Sequence, residues 1–114
     1  MIMARGIVES DWKVFRELHS VALERFARRI LDEVLSNVGD QTKSAHERYL
    51  KVYDTIHRRN KEMANAFDDF RRSTMFLQLG IMYSYGLVTD MELTRFSPET
   101  QEGIKAIYPK RGGI

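Results

Sequence analysis

The chain has 114 residues, with no cysteine, two prolines, and 18 basic against 16 acidic residues for a formal net charge of +2. This length suits one domain, the lack of cysteine excludes disulfides, thiolate metal sites and cysteine nucleophiles, and the near balance of charge does not by itself indicate a nucleic-acid-binding protein. Charged residues make up 30% of the chain and hydrophobic residues 43%, which is typical of a folded, helix-rich domain. The first ten residues, MIMARGIVES, contain too short an apolar run for a secretory signal peptide, so we expect a cytoplasmic protein.

The first predicted helix begins near Ser10 or Asp11, since either side chain can cap exposed amide groups, and it ends at Gly39 as a left-handed C-cap. At about 100° per residue, the apolar side chains of one broad face are Trp12, Phe15, Leu18, Ala22, Phe26, Ile30 and Val34. The other side carries Ala27, Leu31 and Val38. An apolar face that drifts in this way predicts a helix that meets different neighbours along its length.

A second long helix is predicted from about residue 44 to residue 70, after a short connector at residues 40–43. It opens with a capping box, in which Ser44 accepts one backbone amide and Glu47 reaches back to another. Its apolar stripe consists of Ala45, Tyr49, Val52, Tyr53, Ile56, Met63, Phe67 and Phe70. Two long helices joined by so short a connector predict an antiparallel hairpin.

The longest uncharged stretch runs from Ser73 to Thr89 and predicts a third, central helix. Its 17 residues include glutamine, serine and glycine, and Gly86 looks like a C-cap, so the helix at 74–85 is too short to cross a membrane. The segment is apolar on every side, and two helices cannot fully surround a third. We therefore expect part of this surface to be covered by a second copy of the chain, through the interface residues Met75, Phe76, Leu79, Met82 and Tyr83.

Two short helices are predicted at the C-terminal end. Thr89 with Glu92 forms another capping box, and Ser97 followed by Pro98 is a serine cap with proline at the first helical position. These helices supply further apolar cover for the central helix from Met91, Leu93, Phe96, Ile104, Ile107 and Tyr108. The predicted fold is all-α and a single irregular bundle: a long antiparallel hairpin, a central apolar helix and two short closing helices, with residues 1–9 as an N-terminal arm and 109–114 as a flexible tail.

No pattern in the sequence predicts a catalytic, metal or cofactor site. There is no Glu-x-x-His pair, and His46 and His57 would lie about 16 Å apart along one helix. His19 falls within the apolar face of the first helix, where we favour a half-buried histidine that hydrogen-bonds across the hairpin. The alternative is a small-molecule pocket inside the bundle, with Trp12, His19 and Asn60 as its lining.

A basic helix face is the second alternative, because phosphate groups could track along it. The candidate residues lie opposite the apolar stripe of the second helix and are Arg48, Lys51, Arg58, Arg59 and Lys61. Acidic residues four positions away, such as Asp54 before Arg58 and Glu62 after it, favour a solvated face with internal ion pairs. A DNA-reading helix-turn-helix is disfavoured, because the last predicted helix carries two glutamates against one lysine.

The sequence favours a non-enzymatic protein that acts through protein–protein interaction and self-association, as a homodimer. A nucleic-acid-associated regulator and a small-molecule-binding bundle stay open as alternatives. We expect no bound cofactor or metal and no membrane insertion. The expectation depends on the apolar third helix, because exposed apolar patches of several hundred Å² usually mark interfaces.

Overall fold

The computed structural model describes residues 8–110, and every regular element in that range is helical, which confirms the all-α fold. The helices are α1 (Glu9–Val38), α2 (Ala45–Phe67), α3 (Met75–Ser84), α4 (Asp90–Leu93) and α5 (Pro98–Ile107), with a 3-10 turn at Arg72–Thr74 before α3. Most of the predicted N-terminal arm and of the C-terminal tail lies outside the described residues.

Local capping signals place most of the helix starts correctly. The Ser44 hydroxyl accepts from the backbone amide of Glu47 at 3.1 Å, and the Glu47 carboxylate accepts from the amide of Ser44 at 2.8 Å. Thr89 and Glu92 form the same reciprocal pair at the start of α4. The Ser97 hydroxyl caps α5, whose first residue is the predicted proline. These interactions span only three residues, which is why the sequence alone reveals them.

Gly86 ends α3 as predicted, with a positive φ of 76° that favours glycine. The amide of Leu87 donates to the carbonyl of Met82 at 2.9 Å, as in a Schellman cap. The same prediction was wrong for Gly39, whose φ of −84° is right-handed, although its amide does close the last turn of α1 by donating to Leu35.

Two helix ends differ from the prediction for a physical reason. α1 begins at Glu9, because Asp11 is buried and accepts hydrogen bonds from α5 instead of capping its own helix. α2 ends at Phe67, so Phe70 lies in the connector to α3 rather than on the apolar stripe of the helix. There Phe70 stacks on Trp12, with ring centroids 5.3 Å apart.

The core surrounds α3, which contacts α1, α2 and α5. Phe15, Ala22 and Phe26 of α1 are buried in this core, together with Phe67 of α2. α3 is only ten residues long. Within residues 8–110, no helix is both long enough and apolar enough to cross a bilayer.

The interface predicted on α3 was wrong in its location. Met75, Leu79 and Met82 have no exposed surface, and Tyr83 is 6% exposed. Phe76 is half-buried, with its ring 6.0 Å from that of Tyr108. These five side chains are covered by this chain, because α5 and the residues around α4 pack against the part of α3 that α1 and α2 leave open.

Only some of the C-terminal apolar residues predicted to cover α3 are buried. Leu93, Phe96 and Ile104 are buried, whereas Met91 is 81% exposed and Ile107 57% exposed. α5 is held to α1 by Asp11, whose carboxylate accepts from the Ser97 amide at 2.7 Å and from the Thr100 hydroxyl at 2.7 Å. The short helices therefore cover α3 and are hydrogen-bonded to the start of α1.

The described chain measures 54 × 23 × 21 Å, and its long axis follows the α1–α2 hairpin. We call the part of the molecule that contains α3, α4 and α5 the body. The distal hairpin is the part that extends beyond the body, from about residue 27 of α1 through the connector to about residue 58 of α2. This division determines which apolar side chains are covered.

Candidate interaction surface on the distal hairpin

The distal hairpin begins where α3 ends. Arg29 donates to the carbonyl oxygens of Tyr85 and Gly86, at 3.0 Å and 2.8 Å, and so joins α1 to the end of α3. Beyond Ile30, the polar contacts of α1 run to α2. A two-helix hairpin buries each helix along one seam only, so apolar side chains beside that seam stay exposed to solvent.

Seven large apolar side chains are exposed on the distal hairpin, and we call six of them the tip face. These six are Leu31, Leu35 and Val38 of α1 and Tyr49, Tyr53 and Ile56 of α2. Their exposed fractions run from 41% for Ile56 to 70% for Leu35. In each helix the three residues are spaced four and then three apart, which places them on one stripe. The seventh, Leu50, follows Tyr49 by one residue and so projects about 100° away from it around the helix.

The two stripes meet at the end of the hairpin. An open groove of about 340 Å³ crosses from α1 to α2 and is lined by Val38, Ala45, Arg48, Tyr49 and Val52. Because Val38 and Tyr49 share this groove, both stripes lie on the same side of the hairpin. The two stripes therefore form one surface, with Arg48 at the groove that joins them.

Polar contacts between the two helices lie away from the tip face. Glu33 accepts from Arg59 at 2.9 Å, and Asn37 donates to the buried hydroxyl of Thr55 at 2.9 Å. Glu33 follows Leu31 by two residues and Asn37 follows Leu35 by two, so each polar residue projects about 200° from its apolar neighbour. These contacts fix the register of the hairpin and lie on the opposite side of α1 from Leu31 and Leu35.

The predicted basic face is largely engaged within the hairpin. Arg59 donates to Glu33 and also to Glu62 at 2.7 Å, and these carboxylates raise the pKa of its guanidinium. Arg58 pairs with Asp54 at 3.0 Å, as predicted from their spacing. Arg48 donates to the carbonyl of Val38 at 2.7 Å. Lys51 and Lys61 are exposed.

The three residues of the predicted internal pocket do not come together. His19 lies between aromatic rings, 4.3 Å from Phe70 and 5.3 Å from Phe67 by centroid, and Trp12 stacks on the same Phe70. Asn60 is exposed, and the residue before it, Arg59, contacts Glu33 of α1. Glu33 lies 14 residues, or about 20 Å, from His19 along that helix, so Asn60 is far from the other two residues. The pocket prediction was therefore wrong for Asn60.

His19 is a half-buried histidine within this aromatic cluster. Burial is the main cause that lowers the pKa of its imidazole, opposed by a hydrogen bond with the backbone of Phe67. Its Nε2 atom is buried without a hydrogen-bond partner among the described residues. The preferred sequence interpretation, a histidine that bonds across the hairpin, agrees with this contact to α2.

The tip face was missed from the sequence, although a signal for it was present. The apolar face of α1 drifts toward Leu31 and Val38, and the apolar stripe predicted on α2 includes Tyr49, Tyr53 and Ile56. Helical periodicity does not predict that α3 stops short of these positions. The sequence therefore identifies these residues as apolar but does not predict that they are exposed.

No group of three or more histidine, aspartate or glutamate side chains within residues 8–110 is arranged to hold a metal ion. Comparison of the chain with protein-family models, with curated proteins and with solved structures found no match. The geometry of the tip face is consequently the basis on which a function can be proposed.

Proposed function

We propose that this protein acts through non-covalent association with another protein, and that the tip face is its binding surface. The observation that carries the proposal is the exposure of six large apolar side chains on one side of the distal hairpin. Aromatic side chains bury roughly 200 Å² each and Leu, Ile and Val less, so the exposed fractions leave at most roughly 700 Å² of apolar surface. The largest apolar patch of an ordinary monomer is about 300–600 Å².

The shape of the tip face suits a helical partner better than a small ligand. The face is an open strip along two parallel stripes, and stripes with four-then-three spacing receive the side chains of a facing helix between their own. Its two tyrosines are a residue type enriched at protein interfaces, since the ring is apolar and the hydroxyl can remain hydrated. We expect this association to take place in the cytoplasm.

The test compares complex size in extracts of cells that produce the tagged protein. We expect the wild type to elute from size-exclusion columns well above its 13.4 kDa monomer mass, and the double variant Leu35→Glu, Tyr53→Glu to elute at that mass. Two buried carboxylates would lose their hydration in the complex, whereas both are solvated in the free protein.

The control is Met91→Glu, which places one such charge on a highly exposed apolar side chain of α4, away from the tip face. It should elute like the wild type. Circular dichroism should show equal helix content in all three proteins, because glutamate is a good helix former. A wild type that elutes as a monomer, or a double variant that elutes with the wild type, would show that the tip face binds no protein.

A further inference from the structure

We propose that the partner of the tip face is a second copy of this chain, with the two distal hairpins packed antiparallel into a four-helix bundle and the two bodies at opposite ends. This inference rests on the proposed function and names its partner. Four-helix bundles form when two hairpins bury their apolar stripes against each other. A self-complementary patch suits the isologous interface of a two-fold dimer.

The area of the tip face matches what such a dimer needs. With at most roughly 700 Å² of exposed apolar side chain in each chain, two copies would bury up to about 1,400 Å². Specific interfaces bury about 1,200–2,000 Å² in total. Because the same six residues face each other in both copies, no second binding surface is required.

The charge along α1 selects the antiparallel arrangement. The stripe of Leu31, Leu35 and Val38 continues toward the body at the same spacing, and there it carries the exposed polar residues Lys13, Glu17, Ser20 and Glu24. Side-by-side copies with both bodies at one end would bury these charged side chains in the interface, at a cost in hydration. Antiparallel copies overlap only at their tips and leave this half of each stripe in water.

Along the hairpin, the tip face is centred close to the level of the hydrogen bond between Asn37 and Thr55. Two of the three α1 residues lie on the body side of this level, and two of the three α2 residues lie on the side of the connector. A two-fold axis at this level superimposes the tip face of one copy on that of the other. Each body then lies beyond the tip of the other hairpin, where it does not obstruct the contact.

The chain's own first seven residues cannot cover the tip face. Seven residues reach at most about 25 Å when fully extended. Leu31 lies 23 residues beyond Val8, at about 34 Å along α1. These seven residues therefore do not supply the cover, whereas a second copy brings an apolar surface of equal size.

The experiment uses the absence of cysteine, which allows one spin label to be placed per chain. Purified protein carries a nitroxide at Lys13→Cys, near the body end of α1, or at Gln41→Cys, in the connector at the tip. Pulsed electron paramagnetic resonance then measures the label-to-label distance between copies. Both positions are exposed and lie outside the tip face, so the labels leave the proposed contact intact.

In the antiparallel dimer the Gln41→Cys labels lie within about 30 Å of each other, because both tips are close to the two-fold axis. The Lys13→Cys labels lie about 70 Å apart, because each is 24 residues from that axis. Adding Leu35→Glu and Tyr53→Glu should abolish both distances, whereas adding Met91→Glu should change neither.

Short distances for both labels would mean that the hairpins pack in parallel, and would overturn the antiparallel arrangement. Absence of any intermolecular distance at 100 µM labelled protein would show that the chain does not pair with itself. If the wild type still elutes as a large complex from cell extract in that case, the proposed function stands and its partner is a different protein. If it elutes as a monomer there too, both proposals fail.

Discussion

Gly80 lies beneath the aromatic ring of Tyr108, at the point where α3 passes the end of α5. A Cβ atom built on Gly80 would overlap the ring carbons of Tyr108, which is half-buried and also contacts Phe76. α3 can therefore approach the C-terminal residues closely only because residue 80 has no side chain. Glycine usually weakens a helix interior, so its presence here has a packing reason.

Substitution of Gly80 by alanine should destabilise the protein, because Tyr108 must move away from α3. We expect a loss of about 1–3 kcal/mol in the free energy of unfolding, measured by urea denaturation. The control is Gly39→Ala, where the new Cβ would meet backbone oxygens at ordinary contact distances of 3.5 and 3.9 Å. That change should be neutral or slightly stabilising.

A second pair of variants separates steric overlap from a general loss of helix geometry. In a Tyr108→Ala background the ring is absent, so Gly80→Ala should no longer cost stability and should raise helix propensity. An equal cost of Gly80→Ala with and without the Tyr108 ring would contradict this explanation.

At the scale of elements, α1 holds the segment between α3 and α4 through two arginines. Arg25 donates to both carboxylate oxygens of Glu92, at 2.7 Å each, and to the carbonyl of Leu87 at 2.9 Å. Arg29 donates to the two carbonyls just before it. These charged donors satisfy backbone oxygens at the end of α3 that have no partner within the helix.

The pairing of Arg25 with Glu92 should make stability depend on pH in an acidic window. The hydrogen bond from Arg25 is the main cause that lowers the pKa of Glu92 from 4.5 to about 2. Because the folded state favours the charged carboxylate, its contribution is complete above pH 4.5 and is lost as the pH falls toward 2. Glu92→Gln should therefore flatten the decline of stability in this window and cost about 1–2 kcal/mol at pH 7.

The measurement is the free energy of unfolding in urea from pH 2 to pH 7. Glu102→Gln in α5 is the control, since Glu102 is exposed, and its pH profile should match that of the wild type. A Glu92→Gln profile that declines as steeply as the wild type between pH 4.5 and 2 would mean that other groups cause the acid sensitivity.

At the scale of the whole molecule, the body and the distal hairpin differ in how much packing supports them. α3 is enclosed by α1, α2 and α5, whereas the distal hairpin has one seam between two helices. Regions with fewer buried contacts open more readily, at a smaller cost in free energy. The molecule should therefore have a stable end and a weak end.

Amide hydrogen exchange should reveal this difference. In the Leu35→Glu, Tyr53→Glu variant, the amides at residues 31–38 and 49–56 should exchange with lower opening free energies than those at 75–84. In the wild type, protection at the two tip segments should rise with protein concentration, because pairing of tip faces would stabilise them by mass action. Uniform protection along the hairpin and α3, at every concentration, would contradict the division into body and distal hairpin.

The sequence by itself determined the features that depend on neighbours within about four residues. The capping residues Ser44, Thr89 and Ser97 and the C-cap Gly86 were predictable because each acts on amides or carbonyls a few positions away. The all-α class followed from the long apolar periodicities and from the short connectors between them. Local periodicity also identified which residues are apolar on each helix face.

Only the tertiary structure decided which of those apolar faces are covered. Met75 and Leu79 are buried while Leu35 and Tyr53 are exposed, although both pairs lie on apolar helix faces. The difference arises because α4 and α5 fold back over α3, held by Asp11 across 86 residues and by Arg25 across 67. Helical periodicity describes a single element, and burial requires a second element opposite it, which is determined by contacts distant in the chain.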